Sequence, residues 1–436
     1  MLLPVSSFPV WAVCWLICLI AAIWLRPPLP VDETRYLAVA WEMWLRGDFL
    51  VPYLNGEPYH HKPPLLFWLM HAGWSVFGVN EWWPRLVAPL FALATLWGTG
   101  RLSRLLWPDD ATAAGLAPVI LVGALFWSIF QTLTMFDMML TTCTVAGLCG
   151  VVQAWRQGGW VGWLITALAI GVGVLAKGPA ILLHIVPVAL LAPWWGRVLP
   201  GGPDRPMVSW RRWYLSLLLS VLAGAAMALM WAIPAGIRGG AEYREMIFWG
   251  QSAGRIVDSF DHARPFWWYA ALLPPLLLPW LVWPRLWRAF GARPTQPDGA
   301  IRLLVSWIVP ALFIFSLISG KQLHYQLPEF PAFALLFARL LARQGQDQGR
   351  RIDGWIMALF FGLLGLAMTF AIFLAGHEKL PEWFVELNTL WGLLLLPAAF
   401  ACWKWVRDDV RRAACVLSLS MALLITVVHL AARDVL

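Results

Sequence analysis

The chain has 436 residues, of which 60% are hydrophobic and only 13% charged, and its mean hydropathy is +0.68. A soluble globular domain carries roughly twice that charged fraction, so repeated apolar runs of about 20 residues mark an all-α polytopic membrane protein. The net charge of +8 belongs with basic cytoplasmic loops and not with nucleic acid.

In chain order, the hydropathy pattern predicts about 13 spans, near 8–26, 86–106, 111–130, 136–155, 160–176, 179–196, 213–235, 267–287, 302–319, 323–342, 354–376, 389–405 and 412–431. The N-terminus has no basic leader region and no clear cleavage site, so the first run reads as a retained span. Many of the 32 tryptophans fall near the ends of runs, where indoles anchor at the interface, and this supports the boundaries. The six cysteines all fall within apolar runs, without metal-type spacing, and read as small hydrophobes.

With a cytoplasmic N-terminus, one set of loops collects arginines among ordinary loop residues, as in "GRVLPGGPDRPMVSWRR" and "ARQGQDQGRRIDG". The opposite set holds "VDETRY", "YHHKPP", "QTLTMFD", "AKGP", "RGGAEYREMIFWGQSAGRIVDSFDHARP" and "SGKQLHYQLP". Every segment that mixes His, Lys, Arg and acid with Gly and Pro thus falls on the extracytoplasmic side. The first outer segment, 27–85, contains helical pieces. Leu37, Trp41, Trp44 and Leu45 form one apolar stripe, as for a helix lying on the bilayer surface. A second long outer segment covers 236–266.

Each charged group has a structural and a chemical reading. Asp32 and Glu33 suit a helix N-cap and first-turn acid, or a carboxylate that orients an acceptor, takes its proton or binds a cation. Arg35 follows them. Lys62 is either an interfacial lysine or a fixed ammonium for a lipid phosphate, held by Pro63 and Pro64. His60 and His61 can be metal ligands, hydrogen-bond donors or loop residues, and two adjacent histidines alone do not make a metal site. Asp137 is a further carboxylate or a cap. Lys177 sits in a Gly-Pro break, where a charge at membrane depth faces a cavity or a partner. Arg255, Asp258, Asp261, His262 and Arg264 crowd one Gly-containing loop. Lys321, His324 and Tyr325 open an apolar run, with Lys321 and Tyr325 at a helical i, i+4 spacing.

Together, Lys62, Lys321 and Arg255 can neutralise a phosphate leaving group, with Tyr325 as a donor. Neither a P-loop nor a strand-linked GxGxxG is present, and a lipid-linked donor accounts for an outward-facing site. A transporter of lipid-linked sugars is the alternative. It would place functional charges at mid-membrane or on both faces.

The stretches "DETRYLAVAWEMWLRGDFLVPYLNGEPYHHKPPLLFWLMHAGWSVFGVNEWWPRL", "AKGPA", "WWYAALLPPLLLPW" and "GKQLHYQLPEFPAFALL" resemble the GT-C membrane glycosyltransferases of family 39. That family includes protein O-mannosyltransferases and lipid A aminoarabinose transferases, and the chain is most similar to the aminoarabinose branch. The resemblance covers most of residues 8–345 and implies a GT-C transmembrane catalytic module over 1–345. Residues 346–436 are then C-terminal transmembrane helices, without a large soluble domain.

It also implies inverting transfer of a sugar from a polyprenyl phosphate to a lipid A, lipopolysaccharide or other glycan acceptor. The site would face the periplasm from the bacterial inner membrane, and a protein acceptor is the variant within the family. Asp32 matches the reaction-centre acid and Glu33 its companion. Lys62, Lys321, Tyr325 and Arg255 match contacts to the donor phosphate. His61 stands where the aminoarabinose transferases carry a glutamate of a proposed metal site, so a divalent metal ion is left open.

Overall fold

Hydrocarbon offers no partner for a backbone N–H or C=O, so each apolar run must satisfy its own backbone, and within one segment only a helix does this. The computed structural model describes residues 9–201, 209–249, 264–292, 296–344, 349–370 and 387–433. Arg255, Asp258, Asp261 and His262 lie outside the described residues. The chain begins with α1 (Val10–Leu25) and α2 (Asp32–Arg46). A two-stranded antiparallel ribbon, β1 (Tyr53–Leu54) with β2 (Glu57–Pro58), leads to α3 (Leu65–Phe77). Next come α4 (Trp82–Leu106), α5 (Ala111–Val122), α6 (Leu125–Phe130), α7 (Asp137–Gln157) and α8 (Val161–Lys177). They are followed by α9 (Ile181–Leu190), α10 (Ala192–Trp195), α11 (Trp210–Arg238) and α12 (Gly240–Glu245). The remainder holds α13 (Trp268–Leu276), α14 (Pro284–Gly291), α15 (Gly299–Leu317), α16 (Phe330–Ala342), α17 (Arg351–Thr369), α18 (Leu395–Trp405) and α19 (Val410–Ala432).

Each apolar run coincides with one of these helices or with adjoining helical segments. Among the described residues, six helices are long and apolar enough to cross a membrane, and one of them, Val161–Leu190, continues through a break where the sequence suggests two spans. The other runs fall on shorter or broken helices, so the number thirteen stays an expectation. Proline accounts for one break: Pro274 and Pro275 lie in α13, Pro279 follows, and the chain passes into a short 3₁₀ turn, Trp280–Val282.

Helices α7 and α8 form a close antiparallel pair. A Cβ on Gly150 would stand 2.5 Å from the Gly162 carbonyl oxygen, so the two backbones touch there. The C-terminal helices belong to the same packed body. Helix α19 lies against α1 and α5, and the Ser418 hydroxyl donates to the Val119 carbonyl at 2.7 Å.

At one end of the bundle the basic loops are tied by acids. Asp298 caps α15, and Arg339 Nε at 3.2 Å and Arg343 Nη2 at 2.7 Å donate to it. Arg339 also reaches Asp110 at 2.6 Å. At the other end, the first outer segment packs down onto the bundle. Tyr36, Val39, Ala40 and Met43 of α2, at i, i+3, i+4 and i+7, join Phe67 and Met70 of α3 against Phe136, Met139 and Ala176. The expected stripe on α2 is a second face, on which Trp41 and Leu45 are exposed.

Candidate active site

A helix terminus stabilises charge of opposite sign to its dipole. Asp32 and Asp137 are the first residues of α2 and α7, and Lys177 is the last of α8. Neither aspartate is the N-cap that the sequence suggests. The caps are Val31 and Phe136, neither with a side-chain cap bond, and the carboxylates turn to other partners. Lys177 forms an ion pair with Asp137, whose side chain is buried, while that of Lys177 is only slightly exposed. The turn after Lys177 requires glycine, because Gly178 has φ +75°.

Two further walls meet this pair. The Lys177 ammonium stands 4.8 Å from the centre of the Tyr325 ring. His324 packs beside Tyr325, with ring centres 5.0 Å apart, and against Phe130 at 6.2 Å. From the first outer segment, Lys62 Nζ comes within 5.8 Å of the Phe136 ring. Lys177, His324 and Lys62 all lie within electrostatic reach of Asp137. Residues 62, 137, 177, 324 and 325 are therefore drawn together from four separate segments.

Asp32 completes the group from α2. Its Oδ1 accepts from the Tyr36 hydroxyl at 3.1 Å, and the Arg35 guanidinium is 3.9 Å away. The Asp32 side chain is 44% exposed, open enough to meet an incoming group. The Tyr36 ring meets Phe136 edge-on, with centroids 4.9 Å apart. Burial, then the negative charge of Asp32 and Asp137, pushes the Tyr36 phenol well above its ordinary range, so it remains a donor.

Glu33 faces the other way. It is buried, ion-paired with Arg26 at 2.5 Å, and accepts from the amides of Leu29 at 2.8 Å and Thr134 at 2.7 Å. Burial raises its carboxyl, but Arg26 and the two amides outweigh burial and hold its pKa below the usual value. Arg26 also donates to the Thr132 carbonyl at 3.0 Å, and Arg85 bonds the carbonyls of Ala22, Ile23 and Arg26. These groups bolt the end of α1, the start of α2 and the 132–134 turn together.

Lys321 also differs from the sequence picture. Residues Leu323–Glu329 form a 3₁₀ segment containing Pro328, which has no N–H to give. Lys321 precedes this segment and Gln322 is extended, so the i, i+4 face shared with Tyr325 does not form, and the Lys321 ammonium donates to the carbonyls of Ile318 at 2.6 Å and Arg264 at 2.9 Å. His60 and His61 stack with ring centres 4.4 Å apart, and His61 lies 5.3 Å from the Tyr59 ring. Among the described residues no three His, Cys, Asp or Glu side chains converge as metal ligands. The described residues alone therefore do not make up a divalent-metal site around His61.

Tyr36, Tyr59, Phe136 and Arg26 are the contributors that the sequence did not single out. Tyr36 was accessible as the i+4 neighbour of Asp32.

A family model described as dolichyl-phosphate-mannose-protein mannosyltransferase matches residues 61–231. The undecaprenyl phosphate-alpha-4-amino-4-deoxy-L-arabinose arabinosyl transferase of Enterobacter sp. (strain 638) is 30% identical over 365 residues, 80% of this chain and 62% of the relative. The chain thus spans about three fifths of the length of several curated relatives that it matches. The crystal structure of ArnT from Cupriavidus metallidurans in the apo state superposes with a TM-score of 0.78 at 22% identity, covering 98% of this chain and 76% of that one. The same protein bound to undecaprenyl phosphate gives 0.77. These matches establish the GT-C fold, and the six described helices long and apolar enough to cross a bilayer make the chain an integral membrane protein. An arabinosyl transferase 2 of the same description from Sodalis glossinidius (strain morsitans) is 31% identical over 428 residues, 89% of this chain and 72% of its own length. At that identity and coverage, the chain belongs to the family of undecaprenyl phosphate-aminoarabinose arabinosyl transferases.

Proposed function

We propose that the chain is an inverting glycosyltransferase of the bacterial inner membrane with a periplasmic site. It takes a sugar of the aminoarabinose class from undecaprenyl phosphate and gives it to lipid A or a similar envelope glycolipid. The convergence of Asp32, Lys62, Asp137, Lys177, His324 and Tyr325 at one end of the helix bundle carries this reading.

In the reaction, an acceptor oxygen attacks the anomeric carbon as the bond from that carbon to the phosphate oxygen breaks. Undecaprenyl phosphate leaves with the bonding pair. Lys62 and Lys177, with Tyr325 as a donor, are suited to the negative charge that grows on the phosphate. Asp137 holds Lys177 in place. If the acceptor is a hydroxyl, its proton passes to Asp32, which Tyr36 orients. If it is an ionised phosphate, Asp32 orients the acceptor instead. Arg255, from the outer loop, is assigned by resemblance to the donor side, and His262 of the same loop is a candidate substrate or metal contact. Glu33 and Lys321, whose polar atoms are engaged within the protein, hold the site's framework.

The decisive test is transfer of a labelled aminoarabinose from its undecaprenyl phosphate carrier to lipid A by the purified protein in liposomes. Asp32→Asn should remain folded and lose transfer; wild-type turnover in that variant refutes the assignment. Movement of the donor lipid across the bilayer without bond cleavage would make the protein a transporter. The match to a protein mannosyltransferase family model makes a hydroxyl-bearing peptide the second acceptor to supply in the same assay.

A further inference from the structure

A fully buried histidine–glutamate hydrogen bond lies beneath the proposed donor site. His184 Nδ1 and Glu329 Oε1 are 2.5 Å apart, and both side chains are 0% exposed. Burying two such groups is costly, and an apolar pair of similar volume at such a place is often as stable or more so. Their presence therefore calls for a function other than stability.

Their positions suggest one. His184 is on α9, seven residues beyond Lys177. Glu329 ends the 3₁₀ segment Leu323–Glu329, four residues beyond Tyr325. Runs of 3₁₀ helix longer than three or four residues are uncommon, because their hydrogen bonds are poorly aligned. This one is seven residues long and includes a proline, so outside contacts must hold its shape. Its start is held by Tyr269, whose hydroxyl donates to the Gln322 carbonyl at 3.0 Å. Its end is held by Glu329 on His184. Between the two anchors stand His324 and Tyr325. Phe315 joins the couple to the site, since its ring lies 5.6 Å from His184 and 5.9 Å from Tyr325.

We infer that His184 and Glu329 are positioning residues: their hydrogen bond fixes the 3₁₀ turn against α9 and so sets Tyr325 against Lys177 at the lipid-phosphate site. This rests on the proposed donor reading. The bond acts through direction, so a neutral acceptor at position 329 suffices, whereas a side chain with no acceptor does not.

The test uses the full chain in nanodiscs, with undecaprenyl phosphate as the probe. Glu329→Ala should raise its Kd by at least about tenfold, while Glu329→Gln, which keeps an acceptor for His184, stays within about threefold. The double variant His184→Leu with Glu329→Leu removes both polar groups, which secures folding, and should bind as weakly as Glu329→Ala. A merely structural pair would change the amount of folded protein and leave the Kd of that fraction unchanged. Wild-type Kd in folded Glu329→Ala or in the double-leucine variant overturns the inference, and so does Glu329→Gln binding as weakly as Glu329→Ala. Failure of the wild type to bind undecaprenyl phosphate would instead refute the donor reading.

Discussion

Replacing Glu33 by alanine tests whether that residue is a bolt or a catalyst. The change leaves the Arg26 guanidinium buried without its carboxylate, a loss of about 3–5 kcal/mol in comparable pairs. It also takes the acceptor from the Leu29 and Thr134 amides, and a buried donor left unsatisfied costs roughly 1–3 kcal/mol. These costs overlap, because the freed amides and guanidinium relax together. We take about 4 kcal/mol for opening of the first outer segment, which is roughly a thousandfold at 1.36 kcal/mol per decade. Hydrogen exchange of the α2 amides in the full chain in nanodiscs reads that opening directly. Acceleration by less than about tenfold would refute the bolt. Pairing Arg26→Met with Glu33→Met should restore most of the protection, since removing both charges avoids the stranded one. Glu33→Ala also displaces the adjacent Asp32, so transfer falls although Glu33 touches no substrate.

The pH dependence of that segment has a definite sign: Glu33 is held below its ordinary value of 4.5, so its stabilisation is complete above that pH and is lost as pH falls through the lower folded value. Loosening of α2 that begins near about pH 6 would implicate a histidine and count against Glu33. Tyr36→Phe removes only the hydroxyl that orients Asp32, and kcat/KM should fall by about tenfold with the fold retained; unchanged turnover excludes an orienting role. Gly150→Leu cannot fit 2.5 Å from the Gly162 carbonyl, so it should sharply lower the yield of folded protein, and normal yield and melting would contradict the close α7–α8 contact.

Charge inside apolar sequence is what made much of the site legible. Asp137 and Lys177 interrupt or border long apolar runs, where an ionised group is expensive, and the structure pairs them with each other. Asp32 and Lys62 stood out for the same reason. The function of Glu33 was not legible, because the groups that engage it come from residues 26, 29 and 134. The shared helix face expected of Lys321 and Tyr325 does not exist, because Gln322 is extended and helical geometry starts only at Leu323. The pairing of His184 with Glu329, 145 residues apart, was not legible. Each is an ionisable residue within an apolar run, the same mark that Asp137 and Lys177 carry, but only the folded chain shows that they meet.

The pairing of Asp137 with Lys177 changes what a lysine substitution means. A lysine that contacts phosphate directly loses that contact in Lys177→Met, and a second change at Asp137 does nothing to recover it. In the arrangement here, Lys177 also cancels a buried carboxylate, so Lys177→Met leaves Asp137 without its ion-pair partner, a negative charge beside an anionic ligand. Donor affinity then falls for two reasons, one of which is repulsion. Adding Asp137→Asn removes the repulsion and the stranded buried charge together. The double variant should therefore bind undecaprenyl phosphate about tenfold more tightly than Lys177→Met alone, while staying weaker than wild type. A double variant that binds no better than the single would mean that the Asp137 charge does not bear on the phosphate, and would remove Asp137 from the donor site.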